Sequence, residues 1–192
     1  MRRTVLLLCL LCLCAASVVA AAAQSRQYVQ GQVVGIGGRR AGLNRSFSLT
    51  VNSYTSADDV QQLNRALSSG GQDDLLRVLS KLNAGRIAIG NNVGLTANAI
   101  IATPTTEGGT KLTVLYERNV AIFELRHGAR SADYRFGYAE IYLDARGRGQ
   151  GTFIPAAKVK LEGDNNWVVE DFGEFPARLL GLRSTGRVGG VR

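Results

Sequence analysis

Helical periodicity is confined to one stretch of this sequence, and that restriction decides the fold class. Ser56 begins the stretch as a candidate N-cap ahead of the acidic pair Asp58-Asp59. Glycines at 70 and 71 interrupt an apolar stripe at helical spacing that consists of Val60, Leu63, Leu67, Leu75, Val78, Leu79 and Leu82. The sequence therefore predicts two short helices, over 57–69 and 73–83, joined by glycines into a helical hairpin.

Most of the chain outside this stretch alternates between apolar and polar residues, as half-buried strands do. The clearest example is Arg45–Tyr54, in which Phe47, Leu49 and Val51 share one face. The predicted strands are Gln27–Ile36, Arg45–Tyr54, Arg86–Ile89, Thr96–Thr103, Thr110–Arg118, Val120–Arg126, Arg135–Leu143, Gly151–Leu161 and Trp167–Phe172. Short glycine turns between neighbours favour antiparallel pairing. We expect a mostly β or α+β domain, an antiparallel barrel-like or sandwich sheet of about eight strands with one inserted helical hairpin.

The N-terminus has the layout of a cleavable secretory signal peptide. Arg2 and Arg3 precede an apolar run from Thr4 to Val19, and small residues then lead to Ala23 before polarity begins at Gln24. A retained membrane anchor is the alternative, because the apolar run approaches the roughly 17 residues of the shortest spanning helices. We expect residues 1–23 to be removed near Ala23, which places the protein in the periplasm or outside the cell.

The three cysteines, Cys9, Cys12 and Cys14, all lie in this leader, so the mature chain is disulfide-free. Residues 24–192 number 169, enough for one domain held together by its own core. We expect a single domain over 24–184 and a flexible basic tail over 185–192. Without Arg2 and Arg3, 21 basic residues face 15 acidic ones, which gives a net charge of +6.

No motif in the chain predicts catalysis, a metal or a cofactor. His127 is the only histidine, and Ser131 and Asp133 lie close to it in one polar loop, whereas the members of a catalytic triad converge from distant segments. The glycines of Gly35–Gly38 follow a strand, but no helix opens after them to hold a pyrophosphate. We therefore expect no catalytic, cofactor-binding or metal-binding residues and no bound cofactor.

Carboxylates in strands are the remaining route to an enzyme. Two glutamates that converge could hydrolyse a glycosidic bond, and the candidates are Glu117, Glu124, Glu140 and Glu170. Each lies at a point of the alternation that is compatible with facing solvent. The pairs Asp58-Asp59 and Asp73-Asp74 are explained by their places at the predicted helix starts, where they complement the helix dipole.

Aromatic residues cluster near one predicted strand: Tyr134, Phe136, Tyr138 and Tyr142. Alternating aromatics in strands usually fill a core, and the alternative is a barrel interior that takes an apolar ligand. A non-enzymatic binding or interaction module of the cell envelope is the function that the sequence favours. The alternatives are a carboxylate-based envelope hydrolase and a small barrel that carries an apolar ligand. The partner that we expect is an anionic envelope surface, reached by Arg187 and Arg192 of the tail, and the export signal argues against nucleic acid.

Overall fold

The computed structural model describes residues 26–35, 42–118, 133–163, 166–171 and 176–185. These ranges contain one helix, α1 (Ala57–Leu79), and ten strands. The strands are β1 (Gln27–Val34), β2 (Asn44–Val51), β3 (Gly85–Ile89), β4 (Leu95–Ala97), β5 (Ala99–Pro104), β6 (Thr110–Glu117), β7 (Phe136–Leu143), β8 (Arg148–Glu162), β9 (Asn166–Asp171) and β10 (Ala177–Thr185). The leader, the predicted strand Val120–Arg126 and the tail beyond Thr185 lie outside the described residues.

The ten strands belong to one sheet in which every pairing is antiparallel, so the predicted mostly β class is confirmed. Their order is β4-β3-β2-β1-β10-β8-β7-β6-β5, and β9 pairs with β8 as well. The end strands β4 and β5 do not pair with each other, so the sheet is not closed. The sheet is curled instead, because strands near both of its ends contribute side chains from the same face to one buried cluster.

The sheet has ten strands where the sequence predicts about eight, and two local causes account for the two additional strands. Asn98 divides the predicted strand Thr96–Thr103 into β4 and β5, because its buried side chain bonds to other segments instead of continuing the strand. The amide nitrogen of Asn98 donates to the Leu82 carbonyl at 3.0 Å, and its oxygen accepts from the Glu117 amide at 2.9 Å. The second addition is β10, which no predicted strand covers.

The predicted helical stretch forms one helix, α1, with a kink at the predicted glycine. Ser56 caps the helix by accepting from the Asp59 amide, as the N-cap pattern predicts. Gly71 has φ of 65° and ψ of −144°, a conformation that glycine alone adopts readily, so two helical segments meet there. The second segment ends at Leu79 rather than at residue 83, and turns continue the chain to Leu82.

The two faces of the sheet bury two separate clusters. The inner face of the curled sheet contributes Phe47, Leu49 and Val51, the three residues that the alternation predicts to face one way. On the outer face, α1 packs through Leu63, Leu67, Leu75 and Leu79 against Leu115, Phe136, Tyr138, Ile154 and Val159. The helix covers only this part of the outer face, and most outward side chains of β1, β8 and β10 beyond it are polar or exposed.

Gln72 and Thr55 cover two strand edges that no other strand pairs. The Gln72 amide, next to the Gly71 break, accepts from the Val159 amide at 3.2 Å and donates to the Val159 carbonyl. β7 ends its pairing with β8 two residues earlier, at Ala157. At the end of the sheet, Thr55 donates its amide to the Ile100 carbonyl and accepts from the Ile100 amide through its hydroxyl, both at 2.8 Å. Such contacts satisfy backbone groups that would otherwise offer an open edge.

Candidate ligand-binding site

The inner face of the sheet holds a cavity of about 370 Å³ at one end of its core. Pockets that bind small molecules typically measure roughly 300–1,000 Å³, so this one can hold a small ligand. Val33, Ile87, Tyr116 and Phe153 line it from the buried cluster. Half-buried aliphatic side chains from strand ends and turns complete the wall: Leu43, Ile89 and Leu95.

Tyr116 owes its position to a glycine on the neighbouring strand. Tyr116 of β6 lies directly opposite Gly137 of β7. A Cβ atom built at Gly137 would lie 2.0 Å from the Cζ atom of Tyr116, so the ring occupies the place where any other residue would carry a side chain. Because Tyr116 lines the cavity, Gly137 helps to set the shape of the wall.

The polar groups among the described lining residues are few. They are Asn92, Arg118 and the hydroxyl of Tyr116. Arg118 follows β6, and both its backbone and its side chain donate hydrogen bonds. Its backbone amide donates to the Arg135 carbonyl and its Nε to the Tyr134 carbonyl, each at 2.9 Å. A fixed guanidinium beside an apolar wall suits a ligand with one polar or anionic end.

The aromatics singled out by the sequence do not line this cavity. Phe136 and Tyr138 are buried against α1 on the outer face, which agrees with the interpretation of core packing. Tyr142 is 45% exposed on the same face. Tyr134 donates its hydroxyl to Glu170 at 2.7 Å. The aromatic rings among the described lining residues are Tyr116 and Phe153, from two strands that carry no aromatic alternation.

Glu140 is the most buried of the described strand glutamates, and its carboxylate accepts several hydrogen bonds. The Lys111 ammonium lies 2.9 Å from its carboxylate, and the Tyr138 hydroxyl donates to it at 2.7 Å. Tyr142 donates a further hydrogen bond. Burial alone would raise the pKa of Glu140, but the hydrogen bonds from Tyr142, Lys111 and Tyr138 lower it below its ordinary value. The carboxylate is therefore held in its charged form.

Of the other candidate carboxylates, Glu170 also has partners of its own. Glu170 pairs with Lys160 at 2.8 Å, and hydrogen bonds from Lys160 and Tyr134 lower its pKa. Glu117 is exposed at the end of β6, and Glu124 lies outside the described residues. Glu140 and Glu170 thus each pair with a lysine rather than with a second carboxylate.

The acidic pairs of α1 and the polar loop are placed as follows. Asp58 and Asp59 lie in the first turn of the helix, as the dipole argument predicts. After the break, Asp73 pairs with Arg135 at 3.1 Å and Asp74 with Arg77 at 2.8 Å. His127, Ser131 and residues 36–38 lie outside the described residues, and Asp133 lies 3.9 Å from the Lys158 ammonium. In the part of the chain that the structure describes, no group of three His, Cys, Asp or Glu side chains is placed to hold a metal ion.

Comparisons with protein-family models, with curated proteins and with solved structures return no match. Over the ranges described, no helix combines the length and the hydropathy needed to span a membrane. The class that the geometry itself defines is a mostly β domain, curled around an apolar core, with a ligand-sized cavity at one end of that core.

Proposed function

We propose that the protein is an exported, non-enzymatic binding module of the cell envelope whose ligand is a small, largely apolar molecule. The observation that carries this proposal is the cavity of about 370 Å³ on the inner face. Its wall combines a buried floor with half-buried aliphatic side chains, and apolar surface removed from water is the main favourable term in binding such molecules. The proposed function combines two that the sequence leaves open, the binding module and the carrier of an apolar ligand.

The polar lining residues support a ligand with one polar end. Arg118 brings a permanent positive charge to the cavity, and Asn92 adds an amide that both donates and accepts. An amphiphile with a carboxylate or another acceptor at one end would place that group against Arg118 and its apolar part against Val33, Ile87 and Phe153. Two polar contacts of this kind fix the orientation of a ligand in an otherwise apolar pocket.

The carboxylate-based hydrolase has less support. A glycosidase needs one carboxyl group whose raised pKa lets it act as an acid, beside a second carboxylate across the scissile bond. Glu140 and Glu170 have lowered pKa values, and each has a lysine as its partner. Both carboxylates take part in ion pairs and hydrogen bonds with lysine and tyrosine side chains on the surface of the sheet.

Export and the basic tail belong to the same proposal. The layout of residues 1–23 supports removal near Ala23 and release to the periplasm or the medium. Arg187 and Arg192 would bring positive charge to an anionic envelope surface. Thr185, expected in the tail, pairs with Tyr28 as the last residue of β10. Arg178 and Arg183 also belong to that strand, so their charges are fixed on the sheet.

A fluorescent apolar probe tests the cavity. N-phenyl-1-naphthylamine should bind the mature protein with increased emission, and Leu95→Trp should weaken that binding by ~10-fold or more, equivalent to about 1.4 kcal/mol, because the indole fills the cavity. Val93→Trp is the matched control, since Val93 lies two residues away and is 85% exposed. Equal affinity of both variants would contradict the proposal.

A second variant guards against a folding defect. If Leu95→Trp lowers the melting temperature, Ile89→Phe repeats the test from another side of the cavity, with a smaller change in volume. Mass spectrometry of an organic extract of the purified native protein then asks whether an amphiphile co-purifies. A probe that binds neither the wild type nor any variant would count against a ligand-binding cavity.

A further inference from the structure

The outer face of the sheet carries two arginines that lie directly opposite each other on neighbouring strands. Arg183 of β10 and Arg148 of β8 are register partners. Directly opposed like charges destabilise a sheet, whereas opposed unlike charges stabilise it. The second arrangement also occurs in this protein, where Lys158 faces Glu170 across β8 and β9. Among the described strand pairings, Arg148–Arg183 is the one pair of directly opposed like charges.

One acidic residue near this pair, Asp144, balances part of its charge. β1, β2 and β10 contain no aspartate or glutamate, and the one acidic residue of β8, Glu162, lies at the far end of that strand. Arg148 has a long contact of 3.6 Å with Asp144, and both side chains of that contact are about half exposed. Arg183 is exposed and makes no ion pair with any described residue.

A third arginine extends the positive charge along β10. Arg178 lies opposite Thr152 of β8 and is exposed, like Arg183. Arg148, Arg178 and Arg183 define the arginine face. Alternation places it on the side of the sheet opposite the buried Leu179 and Leu182.

The surroundings of the arginine face are polar and aromatic. Register places Gln30 of β1 beside Arg183, and Gln150 of β8 beside the exposed ring of Tyr142. The large exposed aliphatic side chain on this part of the sheet is Leu180. Amide side chains bond to hydroxyl groups, and exposed aromatic rings provide flat apolar surfaces. A face with this composition offers little for insertion into a bilayer, since that requires an extended apolar surface.

We propose that the arginine face binds an acidic polysaccharide. Neighbouring antiparallel residues have Cα atoms roughly 4.5–5.5 Å apart, so the Arg148 and Arg183 guanidinium groups can both reach one carboxylate of the polymer. Arg178 meets a second acidic group farther along β10, Gln150 and Tyr142 contact the sugar hydroxyls and rings between the two acidic groups, and Gln30 contacts the sugar beside Arg183. The site is independent of the apolar cavity, because it lies on the other face of the sheet.

Binding to polygalacturonate, a polymer of carboxylated sugars, tests this proposal. The double variant Arg148→Gln/Arg183→Gln should weaken binding by ~10-fold or more, because charge-assisted hydrogen bonds are lost. The matched control is Arg65→Gln/Arg77→Gln, which removes the same charge from exposed positions of α1 and should change affinity by less than ~2-fold. Neutral dextran should bind neither form.

The melting temperature separates a binding role from a structural one. Removal of two opposed like charges should leave the melting temperature of the arginine-face variant equal to or above that of the wild type. Equal loss of polygalacturonate binding in the two double variants would overturn the proposal, since it would show an effect of net charge alone. It would also be overturned by binding to phosphatidylglycerol vesicles without binding to polygalacturonate.

Discussion

Removal of the Gln72 side-chain amide should destabilise the protein far more than its half-exposed position suggests. This amide bonds to both backbone groups of Val159, a residue that is fully buried in the cluster beneath α1. Because β7 no longer pairs with β8 at that point, Gln72 takes the place of a neighbouring strand. The Gly71 break brings the side chain there by redirecting the chain between the two helical segments.

The size of the effect follows from the two groups left without a partner. A buried N–H or C=O that loses its hydrogen bond costs about 1–3 kcal/mol. Water can approach the half-buried site once the side chain is shortened, so we expect about 2–4 kcal/mol for Gln72→Ala rather than the full sum for both groups. For a domain of this size, each kcal/mol corresponds to roughly 2–4 °C, so the melting temperature should fall by roughly 4–16 °C.

Chemical denaturation and calorimetry of the mature protein measure this loss. Gln62→Ala is the matched control, because Gln62 belongs to the same helix and is exposed. It should change the free energy of unfolding by less than about 0.5 kcal/mol. Hydrogen exchange gives a local check, since the Val159 amide should lose protection in Gln72→Ala while amides of β1 and β2 keep theirs.

The variant Gln72→Glu tests the direction of the two bonds. Its carboxylate cannot donate to the Val159 carbonyl, but its protonated form can, so folding should raise the pKa of the introduced carboxyl group. A carboxyl group whose pKa is raised by folding stabilises the protein below its ordinary pKa, and this stabilisation is lost as the pH rises. The loss of unfolding free energy in Gln72→Glu relative to the wild type should therefore be smaller at pH 4 than at pH 7. Two results would refute the role of Gln72 as a substitute for a neighbouring strand. One is equal stability of Gln72→Ala and Gln62→Ala, and the other is a loss of stability in Gln72→Glu that does not depend on pH.

Two further variants probe Glu140 and the cavity wall. Because folding lowers the pKa of Glu140, its ionised carboxylate stabilises the fold above the ordinary pKa of about 4.3, and this stabilisation is lost as the pH falls. The melting temperature of Glu140→Gln should therefore fall less steeply than that of the wild type between about pH 5 and pH 3. Parallel curves of melting temperature against pH would contradict this. Gly137→Val should push the Tyr116 ring into the cavity and weaken N-phenyl-1-naphthylamine binding by ~10-fold, about 1.4 kcal/mol, whereas unchanged binding would disprove the packing argument.

The sequence predicts those elements whose local pattern agrees with their tertiary environment. β2 is one of them, because Phe47, Leu49 and Val51 alternate without interruption and one face is fully buried. The break in α1 is another, since Gly71 adopts a positive φ that its residue type favours. In both places the local preference and the packing demand the same conformation, so the local pattern is sufficient.

β10 escapes prediction because a bulge breaks its period. Leu179 and Leu182 both face the core although they are three residues apart, since the register shifts between them opposite β8. A test for period-two alternation fails on such a segment. Asn98 escapes for a different reason. Its neighbours favour one continuous strand, and only the distant partners Leu82 and Glu117 impose the break.

The cavity has no signature along the chain, because its wall combines single side chains from several strands. Val33, Ile87, Tyr116 and Phe153 come from four strands that meet only in the folded sheet. The clustered aromatics of β7 are a misleading signal for such a site. Phe136 and Tyr138 occupy alternate positions, so both face α1, and the intervening Gly137 makes room for the cavity residue Tyr116 on the other side.

The alternation that hides the cavity from the sequence also separates the two proposed binding sites. A side chain of β8 points either to the core, as Phe153 does, or to the outer face, as Arg148 does. Substitutions at the two sites share no direct contact across the sheet, so their effects should be independent. Leu95→Trp should therefore leave polygalacturonate binding intact, and Arg148→Gln/Arg183→Gln should leave N-phenyl-1-naphthylamine binding intact. Loss of both activities in either variant would indicate a general folding defect and would remove the support that the binding data give to a distinct site.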